Sequence, residues 1–270
     1  MRVNLKSIDE MSYTEFVAFV NQTNVPPGSY STLTKWRNNS CMNANSRILE
    51  VACTTGFSIN SLVQESGAQG VGLDLCADSI ASASENAKNM GVSSRVTFSA
   101  MDAVTYNPCQ PFSHVVVGAG LGFFPAPEAM IETICACFGS SGYLLASPFF
   151  ATESIPDALL HRAEKIFGIT PTIASYKDVM QIYKGFEIYF EERHCPIPET
   201  ETELHHYCES TVSRASSSVK GFDRCVRDAM YDRLYEIKKM SNALRSYQGY
   251  TVLVLHYESS RYPNRYVELF

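Results

Sequence analysis

The 270-residue chain, 45% hydrophobic, is long enough to bury a full core as one α/β domain with a sizeable insertion or cap, so two independent domains are the poorer reading. Its net charge of -6 argues against a surface for nucleic acid or an anionic membrane, since either needs clustered Lys and Arg. Nine cysteines, scattered and without a CxxC pair, fit a reducing compartment and offer no structural zinc site, so no metal is expected.

The opening MRVNLKSIDEM has no apolar core of signal-peptide length, and no run is long enough to span a membrane, so a cytoplasmic location is expected. Ser7-Ile8-Asp9-Glu10 can cap a helix through about Asn21, with Phe16, Val17 and Val20 on its apolar side, ended by Val25-Pro26-Pro27-Gly28. A second short helix, Ser31 to Arg37, carries the only tryptophan, Trp36. Arg47 to Val51 then reads as a buried strand, Ala52 to Gly56 as a tight turn of small residues, and Ser58 to Ser66 as a helix. A second strand, Gly70 to Leu73, ends on Asp74. Strand, small-residue turn, helix and acid-terminated strand make a nucleoside-binding half of a parallel sheet, in which small residues let the backbone approach a ligand and Asp74 can accept from ribose hydroxyls. Cys53 lies in that turn, where a small space-filling role is the plain reading.

Ser79 to Met90 holds good helix formers and stops at Gly91, and Arg95 to Phe98 is a third strand leading to Ala100-Met101-Asp102-Ala103. His114 to Val117 is the fourth strand and runs into GAGLGFF, whose glycines lack the immediate helix of a dinucleotide fingerprint because Pro125 and Pro127 delay it. Met130 to Phe138 reads as a helix and Tyr143 to Ser147 as the fifth strand. In the last third, Gly185 to His194 and Gly249 to Tyr257 are β-prone, Glu203 to Ser213 and Phe222 to Leu244 read as helices, and Ser216-Ser217-Ser218 as a loop. Lys238-Lys239, with Arg233 and Arg245, alternates with acids and reads as a solvated helix face.

On Glu50, Gly56, Asp74 and Asp102, in this order and spacing, the chain resembles the class I S-adenosylmethionine-dependent methyltransferases, whose first motif is an acid followed by alternating glycines. Ala52 and Thr54 stand where glycines are usual, in the variant ACTTGF. The resemblance implies an α/β, doubly wound, Rossmann-like sheet of seven strands, with the last strand between the fifth and sixth. It implies N-terminal lid helices at 1–46, a cofactor-binding core at 47–150, and at 151–270 a helical substrate cap with a strand pair completing the sheet. The implied cofactor is S-adenosylmethionine, held by Glu50, Ala52, Cys53, Thr54, Gly56, Asp74, Leu75, Met101, Asp102, Ala103, Gly118 and Ala119. Asp102 would accept from the adenine amino group between Met101 and Ala103, and the loop from Gly118 to Phe124 would wall the sulfonium. That loop lacks the Asn-Pro-Pro-Tyr motif of amine methyltransferases. Tyr30, Trp36 and Tyr176 are the candidate catalytic aromatics, with packing on the domain flank as the alternative for Tyr30 and Trp36.

In-line methyl transfer needs an aligned nucleophile, a base where the nucleophile carries a proton, and exclusion of water. His161, His194, His205, His206, His256, Glu187 and Glu191 are candidate bases, although adjacent His205 and His206 on a helix point about 100° apart and chelate poorly. Three functions stay open: a small-molecule methyltransferase of secondary or amino-acid metabolism, an enzyme that cyclises the cofactor, and a non-catalytic cofactor-binding module. The second follows from a likeness of the whole chain, including its ending RYPNRYVELF, to bacterial proteins among which azetidine-2-carboxylate synthases occur. There the cofactor's own amine attacks its side-chain carbon beside sulfur and releases methylthioadenosine. The partner expected is a small-molecule substrate, with no nucleic acid and no membrane, and a homodimer is compatible.

Overall fold

The computed structural model describes residues 5–218 and 224–264. The first part of the chain forms helices α1 (Leu5–Glu10), α2 (Tyr13–Phe19) and α3 (Ser29–Asn39) before the first strand. One helix through Asn21 was expected, and two are found. Ser12 is extended and starts a new helix through a capping box: its Oγ accepts from Glu15 N at 3.2 Å and its own N–H donates to the Glu15 carboxylate at 2.7 Å.

Strand β1 (Arg47–Val51), α4 (Phe57–Ser66), β2 (Gln69–Asp74), α5 (Ala77–Asn89) and β3 (Val96–Ala100) follow in alternation, and β4 (Phe112–Val117) comes after only a short 3-10 turn at Ala103–Thr105. After them come α6 (Pro127–Cys137), β5 (Phe138–Ala146), β6 (Phe149–Ala151), α7 (Asp157–Phe167), α8 (Tyr176–Gln181) and β7 (Glu187–His194). The described chain closes with α9 (Glu201–Ser218), α10 (Arg224–Leu244) and β8 (Gln248–Glu258). Pro127 delays α6 as expected, taking its first turn where a missing N–H is harmless. The loop expected at Ser216 to Ser218 is instead the end of α9, where Ser216 Oγ turns back onto Val212 O at 2.7 Å. Residues 219–223 and 265–270, the latter including most of the RYPNRYVELF ending, lie outside the described residues.

The sheet runs β3-β2-β1-β4-β5-β8, parallel as far as β5 and antiparallel at β8. Tyr250 pairs with Phe149 of β6 and also with His194 of β7, and Leu253 to Leu255 pair with both β5 and β7. Hence β6 continues β5 along one edge of β8 past Pro148, and β7 takes the other edge. Eight strands are thus the seven-strand order expected, with the fifth interrupted at a proline that cannot donate to the ladder.

Side chains alternate across this sheet, so each strand feeds two cores. Leu49, Val51, Val115, Val117, Leu144 and Leu253 pack with α6 on one face, while Ile48, Val116, Leu145, Val252 and Val254 pack with α3 and α4 on the other. A further apolar cluster joins the two ends of the chain: Ile8, Phe16 and Val20 meet Cys208, Val212, Met230, Leu234 and Ile237. Arg233 ties that junction, donating to the carbonyls of Ile8 and Met11 with its guanidinium 4.6 Å from the Phe16 ring centre. Among the described residues no helix is long and apolar enough to cross a membrane.

Candidate cofactor and substrate site

Parallel strands end at one edge of the sheet, and there the turn from Ala52 to Gly56 leaves β1. Ala52, Thr54 and Gly56 all have positive φ, at 53°, 47° and 78°. These are the alternating positions where glycine is usual, and a left-handed L-residue costs about 1–2 kcal/mol each. Thr54 N donates to Asp74 Oδ2 and Cys76 N to Asp74 Oδ1, both at 2.9 Å. A carboxylate has about four acceptor positions, so each oxygen keeps one for a further donor. Beside it Leu75 is 77% exposed, an apolar side chain with no protein cover, and Val104 is also exposed. Asp102 is exposed, with Oδ1 accepting from Val104 N at 3.0 Å, whereas Ala103 is buried and Met101 N is held by Asp74 O at 2.9 Å. Asp74, Leu75 and Met101 to Ala103 therefore lie side by side at the ends of β2 and β3, with acceptors at two points.

Glu50 and Cys53 lie deeper. Glu50 is 4% exposed, its Oε2 accepts from Ile59 N at 3.0 Å, and burial pushes its pKa up to about 8, with Asp74 adding to the rise. It braces the first turn of α4 beneath the motif turn. Cys53 is buried and its thiol is pushed well up by desolvation, so it fills space as expected of it. Gly72 is required next to it, because a Cβ there would come within 2.6 Å of the Phe98 ring.

The loop after β4 closes the other side. Tyr183 is buried, and its hydroxyl accepts from Leu121 N at 3.1 Å, while Gly118 O accepts from Ser147 N at 3.1 Å. Gly120 has φ 89°, and a Cβ on it would come within 2.6 Å of Pro148. From Ala119 and Phe123 of this loop a cavity of about 640 Å³ extends beneath residues 22–29, bounded by Phe149, Phe167 and the inner face of α10. The cavity adjoins the turn directly: Asn24 Nδ2 donates to Thr54 Oγ1 at 3.2 Å, and Thr55 Oγ1 donates to Gln22 O at 2.9 Å. Gln22, 8% exposed, also lines it, and its Oε1 has no hydrogen-bond partner.

The three candidate aromatics are not brought together. Trp36 is fully buried in the core under α3, with its indole N–H donating to Ala146 O at 3.3 Å, so it is a flank side chain and not a wall of the cavity. Tyr176 sits at the β7 edge, its ring edge-on to Phe150 and under the Arg193 guanidinium, its hydroxyl donating to the Glu191 carboxylate. Burial and that carboxylate push its pKa up to about 12. Tyr30 is 60% exposed against Phe57, one residue past the cavity-lining Gly28 and Ser29.

Among the described residues no histidine lines the cavity. His114, a buried strand residue, is pushed down to about 4 by burial and sits between Ser113 Oγ and Ser40 O. His205 stacks on Tyr235, His194 on Tyr250, and His256 meets Ser141 Oγ at 3.0 Å. Glu187 lies 3.6 Å from His256, and Glu191 is taken by Tyr176.

Sequence reasoning missed Gln22, Asn24, Lys238 and Arg245. The polar run Gln22-Thr23-Asn24 after an apolar helix was the available signal for the first two. Lys238 is not on a solvated face: its side chain is 13% exposed, over the Tyr207 ring at 4.4 Å, and both it and Arg245 line the cavity.

Residues 48–142 match the family description of a methyltransferase domain. No curated protein sequence matches the chain. Among solved structures, MccD protein is similar over 87% of this chain and 100% of its own, with a TM-score of 0.70 at 23% identity. A SAM-dependent methyltransferase from Geobacter sulfurreducens, solved with S-adenosyl-L-homocysteine, covers 91% of this chain and 98% of its own at TM-score 0.67 and 16% identity. The 4+2 cyclase SpnF covers 91% and 96% at TM-score 0.62 and 15% identity. At these identities the likeness is one of fold, and the fold is that of the class I S-adenosylmethionine-dependent methyltransferases.

Proposed function

We propose that this chain, whose residues 48–142 match the description of a methyltransferase domain, is an S-adenosylmethionine-dependent small-molecule methyltransferase of secondary or amino-acid metabolism, working in the cytoplasm. The observation that carries the reading is the contact between Asn24 and Thr54, which puts a cavity of about 640 Å³ against the motif turn. Ligand cavities span about 300–1,000 Å³, so there is room for a second substrate.

The residues present fit the cofactor. Exposed Leu75, the spare acceptor positions of Asp74 and the orphaned Oε1 of Gln22 beside the turn are unsatisfied groups that an adenosyl amino acid would satisfy. When bound, S-adenosylmethionine supplies an electrophilic methyl group whose bonding pair stays with sulfur as the acceptor forms its new bond. Asp74 would hold the ribose hydroxyls, Met101 and Ala103 would flank the adenine with the second oxygen of Asp102 accepting from its amino group, and the turn would take the methionine end. Gly118 and Ala119 would lie along the transfer path, and Phe123, Phe149 and Phe167 would keep water from it. Tyr13 and Tyr207 line the cavity as neutral phenols, since burial raises both, Tyr207 to about 12. They orient an acceptor by donating hydrogen bonds and do not deprotonate it.

Incubation of the purified protein with S-adenosylmethionine alone, followed by mass spectrometry, tests the assignment. Intact cofactor that binds, and S-adenosylhomocysteine formed only when an acceptor is added, would support it. Methylthioadenosine with azetidine-2-carboxylate would replace methyl transfer by intramolecular cyclisation. Absence of binding would refute use of the cofactor.

A further inference from the structure

The cavity has a charge of its own sign. Among the described residues its charged lining is Glu199, Lys238 and Arg245, which leave one excess positive charge in a chain whose net charge is -6. Lys238 lies on α10, and Arg245, seven residues on, stands in the turn immediately after the helix ends at Leu244. Lys238 Nζ lies 3.1 Å from Glu199 Oε2 and Arg245 Nη2 lies 3.3 Å from the same oxygen. That oxygen is buried and has no partner in hydrogen-bond geometry, so both cations meet it as charges; Arg245 Nη1 donates to Ile197 O at 2.7 Å, and Lys238 and the other guanidinium N–H groups keep donors for another acceptor. Glu199 is held in place by its backbone, which exchanges two hydrogen bonds with the Asn242 side chain at 2.6 and 2.9 Å. The remainder of the lining is largely apolar and aromatic, with Phe123, Phe149, Phe167, Ile237 and Leu244.

We infer that the molecule entering this cavity is a monoanionic carboxylic acid with an apolar or aromatic body, its carboxylate received by Lys238 of α10 and Arg245 just past the end of that helix. An excess cation partly removed from water is stabilised by an anion, and a carboxylate can take an aligned hydrogen bond from each of two donors. The inference rests on the reading of the cavity as the acceptor's place, and it adds the acceptor's class.

Phenylacetate and indole-3-acetate, each against its neutral amide, would be titrated by calorimetry into the full chain with and without S-adenosylhomocysteine. The acids are expected to bind at least about tenfold more tightly than the amides. Lys238→Met should weaken the acids about tenfold, and Glu199→Gln, which adds one net positive charge, should tighten them; the amides should respond to neither. These opposite signs separate recognition of charge from damage to the fold, and melting temperatures of both variants provide the control. Lys238→Gln is the second variant should Lys238→Met fold poorly. Equal affinity for acid and amide, no binding of either acid, or the same direction of change in Lys238→Met and Glu199→Gln would overturn the inference. Failure to bind S-adenosylhomocysteine while the acids still bind would refute the methyltransferase reading and leave the anion site standing.

Discussion

Replacing Glu50 by Gln should remove a defined part of the pH dependence of stability. Glu50 is buried beneath the motif turn, and desolvation lifts its pKa from 4.5 to about 8 against the hydrogen bonds from Ser58 and Ile59 that oppose the rise. The native state therefore keeps a proton that the unfolded chain has already released. Stability from this source is complete below the unfolded value and falls as pH rises, until the folded group itself ionises near 8. At roughly 1.36 kcal/mol per pH unit, the span from 4.5 to about 8 is worth at most about 5 kcal/mol, and about 3 kcal/mol of it is already lost at pH 7. Glutamine keeps the shape and an acceptor for Ile59 N but has no proton to lose. Urea unfolding of both proteins between about pH 4 and about pH 9 measures the difference, with the fluorescence of fully buried Trp36, the only tryptophan, as the signal. The Glu50→Gln protein should gain on the wild type steadily from pH 4.5 upward and stop gaining above about 8. Parallel stability curves would refute the buried, protonated state of Glu50, and so would a gain that shrinks with rising pH.

Asp74→Ala removes two acceptor oxygens from the proposed ribose site, and at about 1.5–3 kcal/mol per charged hydrogen bond it should weaken S-adenosylhomocysteine binding at least about tenfold by calorimetry. An unchanged Kd would take Asp74 out of the site. Ala52→Gly relieves left-handed strain of about 1–2 kcal/mol and incurs about 0.5–1 kcal/mol of glycine entropy, so a net gain of about 0.5–1 kcal/mol in chemical denaturation is expected. Trp36→Ala should cost about 3–5 kcal/mol as a core truncation. Tyr176→Phe should leave kcat/KM within about twofold, and a selective loss of turnover without loss of melting temperature would return it to the catalytic residues.

The turn and strand ends proposed to hold the cofactor were legible because they are local. From Arg47 to Ala103 each site residue is placed by neighbours a few positions away: the turn follows its strand, Asp74 ends the next, and Asp102 follows the third. The cavity is assembled from residues 22–29, the loop at Ala119 and Phe123, Phe149, Phe167, Glu199 and α10, which no local pattern brings together. Lys238 illustrates the difference. Its neighbours Ile237, Ser241 and Leu244 mark one helix face at i, i+4 and i+7, but whether Lys238 beside that stripe meets water or a cavity depends on what packs opposite. Trp36 was ambiguous for the same reason, because an aromatic on a short helix is wall or core according to the sheet beneath it. The division between α1 and α2 could have been read from Ser12 and Glu15, a capping box overlooked in favour of the earlier Ser7.

Ala52 and Thr54 motivate the reading of this chain as an inactive relative, and the backbone argues against it. Glycine at these positions serves as a residue that tolerates positive φ, and both residues adopt that conformation without being glycine. A strained turn persists only where its surroundings over-determine it. At Thr54 they do: the amide is fixed by Asp74, the hydroxyl by Asn24, and the preceding Cys53 N by Leu73 O at 2.9 Å. Two of these partners, Asp74 and Asn24, belong to the ribose and cavity sides of the proposed site. The hydrogen bonds that hold the non-glycine turn in shape are therefore the ones that bring the proposed cofactor side and the cavity into register. Substitution has moved the maintenance of the turn from glycine's freedom to its contacts, and the geometry for which the glycines are usually needed is intact.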